Sequence, residues 1–243
     1  ISALKGADRV RLRPAVIFGS DGLEGCQHSF FEILANAIDE AREGHGRKII
    51  VTRYIDGTLE VEDFGRGVPV DWNEKEGRFN WELVYCELYA GGKYNNDEGE
   101  IYEFSLGLNG LGACATQYSS EYMDVVVYRD GKRYSLHFER GENVGGLANE
   151  PWSGKRTGTI VRWRPDRDVF TDIAIPKEYL QDTIRRQAVV NSGVLFLLRD
   201  EISRGKFEEQ EFIYKDGITD YLGEIVGDAA VTSVVHVSGE RRG

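Results

Sequence analysis

The sequence predicts an α+β fold, a two-layer sandwich in which a mostly antiparallel mixed sheet carries helices on one face. Three observations lead there. Strand-like runs at 48–54 and 58–63 meet through Asp56-Gly57, and runs at 123–129 and 132–140 meet through Asp130-Gly131. Asp-Gly between such runs marks a tight hairpin, because the turn needs positive φ at residues that tolerate it. Between residues 25 and 43, Phe30, Ile33, Leu34, Ala37, Ile38 and Ala41 recur at helical spacing and give one apolar face. Hairpins make the sheet at least partly antiparallel, which places the helices together on one side and argues against a doubly wound nucleotide fold.

Gly44 and Gly46 stop the first helix, as glycine does just past a helix end. Further strands are expected at 159–164 and 194–198, and further helices at 81–90, 112–118, 178–191 and 219–226. Residues 1–232 are expected to form one domain, and the apolar run 234–237 to open a second, of which 233–243 is the start. The chain does not begin with Met and stops just after that run, so it reads as a piece of a longer protein.

At 41% hydrophobic and 11% aromatic residues, the chain has the material for a packed core, which excludes a disordered segment. With 30 Lys and Arg against 41 Asp and Glu, its net charge is −11. That makes the region as a whole a poor grip for DNA or an anionic membrane, since both demand excess cations. No apolar run approaches the roughly 18 residues of a membrane span, and the opening residues have no signal-peptide pattern. Cys26, Cys86 and Cys114 form an odd set without CxxC spacing, which points to a reducing cytoplasm. The four histidines lack any metal-ligand spacing. Glycine, at 29 of 243 residues, exceeds the roughly 7% of an average chain, and much of the excess is clustered.

Those clusters lie among four constellations. Glu32, Asn36, Asp39 and Glu43 stand at i, i+4, i+7 and i+11 and share one stripe of the first helix. A solvated polar face would look the same. Against it stand the apolar neighbours Phe30, Phe31, Ile33 and Leu34 and the mid-helix Asn36, whose amide competes with the backbone for hydrogen bonds. A carboxylate with an amide one turn along suits the placing of a water and a hard cation. Second, Asp63-Phe64-Gly65-Arg66-Gly67-Val68-Pro69 follows a strand; its glycines let the backbone approach a flat ligand, and a carboxylate fixed there can accept from an exocyclic amine. An ordinary glycine turn closed by proline is the plain alternative.

Third, Gly91-Gly92-Lys93 and Gly107-Leu108-Asn109-Gly110-Leu111-Gly112 precede the helix expected at 112–118. The pattern is GxxGxG, neither the dinucleotide GxGxxG nor a P-loop. Glycine amides ahead of a helix N-terminus make an anion site. The polar, acidic run 94–104 between the two clusters reads as a mobile lid. Fourth, Thr157-Gly158-Thr159 enters a strand and says little by itself.

Taken in order, Glu32-x-x-x-Asn36, Asp63-x-Gly65-x-Gly67, Gly107-x-x-Gly110-x-Gly112 and Thr159 resemble the GHKL ATPases, whose ATP-binding fold is the Bergerat fold. The match is closest to the ATPase subunit of bacterial type IIA topoisomerases, the gyrase B and topoisomerase IV B group. Blocks 31–41, 63–69, 89–94, 109–113 and 157–159 look like its signatures, and 4–14 with 18–20 like its entry segment; the resemblance spans about residues 4–214. It implies ATP as substrate and Mg2+ as cofactor. Glu32 would be the general base that polarises the attacking water, and Asn36 would hold the Mg2+ bound to the triphosphate. Asp63 would accept the adenine amino group, supported by Thr159 through a shared water. Arg66 and Pro69, with Gly67 between them, would line the mouth of the adenine pocket. Gly91, Gly92, Lys93 and the amides of Gly107, Leu108, Asn109, Gly110, Leu111 and Gly112 would cradle the phosphates. Such positioning and charge neutralisation suit phosphoryl transfer.

The resemblance also implies ATP-driven pairing of two B-type subunits that gates DNA duplex passage and changes supercoiling, a gyrase A-like DNA-cleaving partner, and DNA contacts through domains outside this chain. The 233–243 segment would be the start of the transducer domain. The sequence departs from the pattern at Asn109, where His is usual, at Leu106, where glycine is usual, at Phe64, which replaces a polar residue, and in the acidic stretch 98–100. The second-domain lysine and most of the N-terminal arm are missing. This stretch is therefore expected to bind ATP, turn it over poorly and stay mainly monomeric. Three other readings remain: the B component of a topoisomerase IV acting in decatenation, a GHKL module that senses nucleotide without hydrolysing it, and an acidic interaction domain with no nucleotide site. A pure sensor has no need for a base at Glu32.

Overall fold

In the computed structural model, the described residues are residue 4, residues 6–89 and 111–229, Thr232, Val234 and Val235. Two short helices, α1 (Asp8–Arg11) and α2 (Pro14–Phe18), lead into the long α3 (Leu23–Arg42). Pro14 opens α2 where its missing N–H costs nothing. α3 buries Phe30, Ile33, Leu34, Ala37 and Ile38, the face the periodicity predicts. It ends as expected: the His45 N–H donates to the Glu40 carbonyl and the Gly44 N–H to that of Ala41, each at 3.1 Å.

The chain continues through β1 (Lys48–Arg53), β2 (Leu59–Asp63), the small hairpin β3 (Trp72–Asn73) and β4 (Arg78–Phe79), and α4 (Asn80–Cys86). After it come α5 (Gly112–Tyr118), β5 (Ser120–Arg129), β6 (Lys132–Glu139), β7 (Glu142–Asn143), β8 (Ala148–Pro151) and β9 (Gly158–Pro165). The last elements are α6 (Lys177–Val190), β10 (Leu195–Ser203), β11 (Lys206–Phe212) and α7 (Ile218–Val226). Among the described residues the main sheet runs β11-β10-β1-β2-β9-β5-β6-β7, with β8 also on β6. Only β1 and β10 pair in parallel, Lys48 opposite Leu195; the other pairs are antiparallel. Both Asp-Gly hairpins form, between β1 and β2 and between β5 and β6.

Val51, Val61, Val125, Val161 and Leu198 point from the sheet into one core with Leu34, Ile38, Leu180 and Ile184 of the helices. Their strand neighbours face the other way and carry charge: Arg162 pairs with Glu60 at 2.7 Å and Arg199 with Glu209 at 3.0 Å. One covered and one wet face is the antiparallel solution.

Three expectations need correction. The helix expected at 81–90 stops at Cys86, because Glu87 is extended and Tyr89 sits at φ +66°. Its start is set by Glu82, whose Oε2 accepts the Phe79 N–H at 2.8 Å. The strand expected to end at 198 continues to Ser203 and hairpins into β11. Val234 and Val235 carry no strand; the rest of the second domain expected from 233 lies outside the described residues. Among those described, no helix is long and apolar enough to cross a membrane.

Candidate functional site

The described site candidates gather on the helical side of the sheet, along α3. Asp63 closes β2, one residue past the last ladder pair with β9, Glu62 opposite Ile160. Its Oδ1 accepts the Gly65 N–H at 2.8 Å and the Thr159 N–H at 3.2 Å. The Thr159 hydroxyl in turn accepts the Val68 N–H at 3.0 Å. Thr159 is thus tied to the Asp63 turn by direct contacts. Burial pushes the Asp63 carboxyl up to about 6, against the two amide hydrogen bonds, which favour the anion. Glu40 raises it further and Arg156 opposes.

Arg66 and Pro69 are exposed, but Arg66 is not idle. Its Nε donates to Glu40 Oε1 at 2.6 Å, its Nη2 to Glu40 Oε2 at 3.1 Å and to Glu43, and its backbone N–H to Glu40 Oε1 at 3.1 Å. The arginine therefore ties the turn to α3. The Gly67 carbonyl accepts from Arg129 Nη1 at 3.1 Å.

Two turns back along α3, Glu32 is half-buried, with Oε1 3.1 Å from His28 Nε2. The other ring nitrogen, His28 Nδ1, lies 3.1 Å from the Phe18 carbonyl at the end of α2. Gly112, the first residue of α5, packs so closely on Glu32 that a Cβ there would lie 2.1 Å from Glu32 Oε2. Only glycine lets the first turn of α5 close on the carboxylate, and Leu111 is its N-cap. Asn36, one turn along α3, is exposed, whereas Asp39 is buried. The polar stripe is therefore not a uniformly solvated face. Gly91, Gly92, Lys93, Gly107, Leu108, Asn109 and Gly110, with Leu106, the run 94–104 and the acidic 98–100, lie outside the described residues. Among those described, no cluster of three or more His, Cys, Asp or Glu could hold a metal ion.

No family model matches the chain. The gyrase B protein of Thermotoga maritima is 37% identical over 238 residues, 98% of this chain and 36% of the relative. The B component of the type 2 topoisomerase of Aquifex aeolicus is 38% identical over 248 residues, 100% of this chain and 30% of the relative. The B component of DNA topoisomerase 4 of Salmonella typhimurium is 38% identical over 227 residues, 93% and 35% respectively. The 43K ATPase domain of Thermus thermophilus gyrase B, solved in complex with an aminocoumarin, matches with a TM-score of 0.78 at 32% identity, over 93% of this chain and 56% of that one.

The chain is homologous to the N-terminal ATPase domain of the gyrase B and topoisomerase IV B proteins. It spans about a third of the length of these relatives. The family resemblance and the α+β fold read from the sequence are both borne out.

Within this gyrase B-like ATPase domain, the sequence reading missed His28, Glu40 and Arg156 around the candidate residues. A signal existed for two of them: His28 and Glu40 lie four residues before Glu32 and after Asn36, on the same side of the helix. Arg156 gave none, since its partners come from three separate strands or turns.

Proposed function

We propose that this chain is the ATP-binding and ATP-hydrolysing domain of a gyrase B-like type IIA DNA topoisomerase. ATP-driven pairing of two such chains gates the passage of one DNA duplex through another. The observation that carries the reading is the Glu32 carboxylate set against the first turn of α5 by Gly112, one helical turn from Asn36.

Asp63 Oδ1 is taken by two backbone N–H groups, so Oδ2 is the atom offered to the adenine amino group. Arg66, Gly67 and Pro69 edge the base, and Thr159 holds the turn. Lys93, Gly91, Gly92 and the amides of residues 107–112 cradle the phosphates. Asn36 would hold Mg2+ through its amide oxygen, and the ion would supply neutralisation of the triphosphate charge. Glu32 draws the proton from a water that attacks the γ-phosphorus as the bond to ADP breaks. His28, bridging Phe18 and Glu32, fixes the carboxylate's orientation.

The partners are a second copy of the B-type chain, a DNA-cleaving protein of the gyrase A kind, and DNA gripped by domains outside this chain. The −11 charge fits that division, because ATP is met by amides, a lysine and Mg2+ while this region as a whole has no surplus of cations for DNA. The setting is cytoplasmic. The aminocoumarin held by the Thermus thermophilus relative makes this domain an antibiotic target.

Calorimetry with ATP and Mg2+ on this chain, and ATP turnover by the full-length protein with and without Glu32→Ala, test the reading. Unchanged turnover in the variant removes Glu32 from the mechanism. The topoisomerase IV reading is favoured by a relative at 38% identity, level with the gyrases, and supercoiling against decatenation by the reconstituted complex decides it.

A further inference from the structure

The β2–β9 ladder ends at Glu62 and Ile160, yet Asp63 and Thr159 must stay in register one step beyond it. The two chain segments touch there: a Cβ on Gly158, at φ +118°, would lie 2.3 Å from the Asp63 carbonyl oxygen. On the face away from the helices, a stack of side chains spans the same gap. The Arg156 guanidinium carbon lies 5.0 Å from the centroid of the Phe64 ring and 4.7 Å from that of Tyr128 on β5. Arg156 Nη1 pairs with Glu62 Oε1 at 2.7 Å. Lys48 Nζ lies 5.9 Å from the Phe64 centroid, and Trp152 extends the stack, 4.8 Å from the Tyr128 ring, while its Nε1–H donates to the Arg156 carbonyl at 3.2 Å. Arg156 Nε and Nη2 are buried and have no hydrogen-bond partner among the described residues. Ring faces and one carboxylate therefore hold this cation. Burying guanidinium nitrogens without partners is unfavourable, and only the stacking and the ion pair offset it.

We propose that Arg156 is a positioning residue for adenine recognition: clamped between Phe64 and Tyr128, it fixes the Asp63–Phe64 corner against β9 so that the Asp63 carboxylate is presented to the base. This rests on the reading of Asp63 as the adenine acceptor. Charge acts in the same direction. Asp63 faces Glu40 of α3 and Tyr85 of α4, and of the charged groups acting on it Arg156 is the one that opposes burial. Losing that cation loosens the corner and makes the acceptor easier to protonate.

The test compares the parent chain with Arg156→Met and Arg156→Lys, using ADP, adenosine and inorganic tripolyphosphate as ligands in calorimetry. Arg156→Met is expected to weaken ADP and adenosine alike by about tenfold, a loss of the size such stacked cations carry, and to leave tripolyphosphate unchanged. The pH midpoint of adenosine affinity moves upward in Arg156→Met and returns in Arg156→Lys, which a merely structural role would not produce. Equal losses for ADP and tripolyphosphate, or ADP binding at the parent's strength, overturn the proposal. A parent that binds tripolyphosphate but neither ADP nor adenosine overturns the reading of Asp63 instead.

Discussion

The two ends of the candidate site are built on opposite plans. At the Asp63 end the carboxylate is held by backbone: two N–H groups on Oδ1, a hydroxyl on the Val68 N–H, and a turn tied to α3 through Arg66 and Glu40. At the Glu32 end the carboxylate has His28 beside it and glycine in front of it, and its precision comes from the helix that carries it. Ile33, Leu34 and Ala37, buried between the stripe residues, anchor that helix in the core. The difference teaches how one rail serves two tasks. Glu32 and Glu40 are eight residues apart, a rise of about 12 Å, so α3 sets the spacing between the Glu32 end and the Asp63 end.

Chemistry and recognition should then be separable. Glu32→Gln is expected to lower ATP turnover in the full-length protein by about 10²–10⁴-fold, the usual worth of a positioned general base, with ATP affinity kept within a few-fold. A parallel collapse of affinity would break the division between the two ends. Asp63→Asn should do the reverse. With Oδ1 still required by the Gly65 and Thr159 N–H groups, an asparagine must turn its NH2 toward the base, donor against donor. ADP affinity should fall by about 100-fold, the loss expected for a charged hydrogen-bond acceptor turned into a mismatch, while the far-UV circular dichroism spectrum stays that of the parent.

Acid sharpens the same contrast. Because burial raises the Asp63 carboxyl to about 6, adenosine affinity should drop as the pH falls through that value. The linkage to folding has the opposite sign. A carboxyl raised in the folded state binds its proton more tightly there than in the unfolded chain, so this group adds stability as the pH falls from 7 toward 5. Thermal melts that lose stability in step with adenosine binding would mean that acid opens the fold and not the acceptor.

Much of this was legible in the chain, for identifiable reasons. The apolar period of α3, the Asp-Gly turns and the DxGxG corner are local patterns, and each formed where expected. β11 was missed because Lys206-Phe207-Glu208-Glu209-Gln210-Glu211-Phe212 is an edge strand dressed in charge, which reads as a loop. The parallel β1–β10 pair joins segments nearly 150 residues apart, and nothing local announces it. α4 ended early because the extended Glu87 overrode an apolar run that looked helical. At the candidate site, Asp63 and Glu32 are residue types a pattern can find. Their supports are not, since Phe18 reaches His28 through a carbonyl and Arg156 meets Phe64 and Tyr128 only after three strands align.

The smallest expected effect concerns the tie between the two ends. Burial pushes the Glu40 carboxyl up, but the hydrogen bonds and charge of Arg66 prevail and hold it below its ordinary value. A carboxyl depressed in this way stabilises the fold above its ordinary value and loses that contribution as the pH falls through the folded one. Glu40→Gln should therefore lower stability at neutral pH by only about 0.5–1 kcal/mol, since Arg66 is exposed and solvent screens the pair. The difference between variant and parent should stay level from pH 8 to 5 and shrink in stronger acid. If α3 couples the ends through this contact, ADP affinity falls with it while tripolyphosphate affinity holds; a loss of stability with both affinities intact would show that the rail aligns the site through its buried face alone.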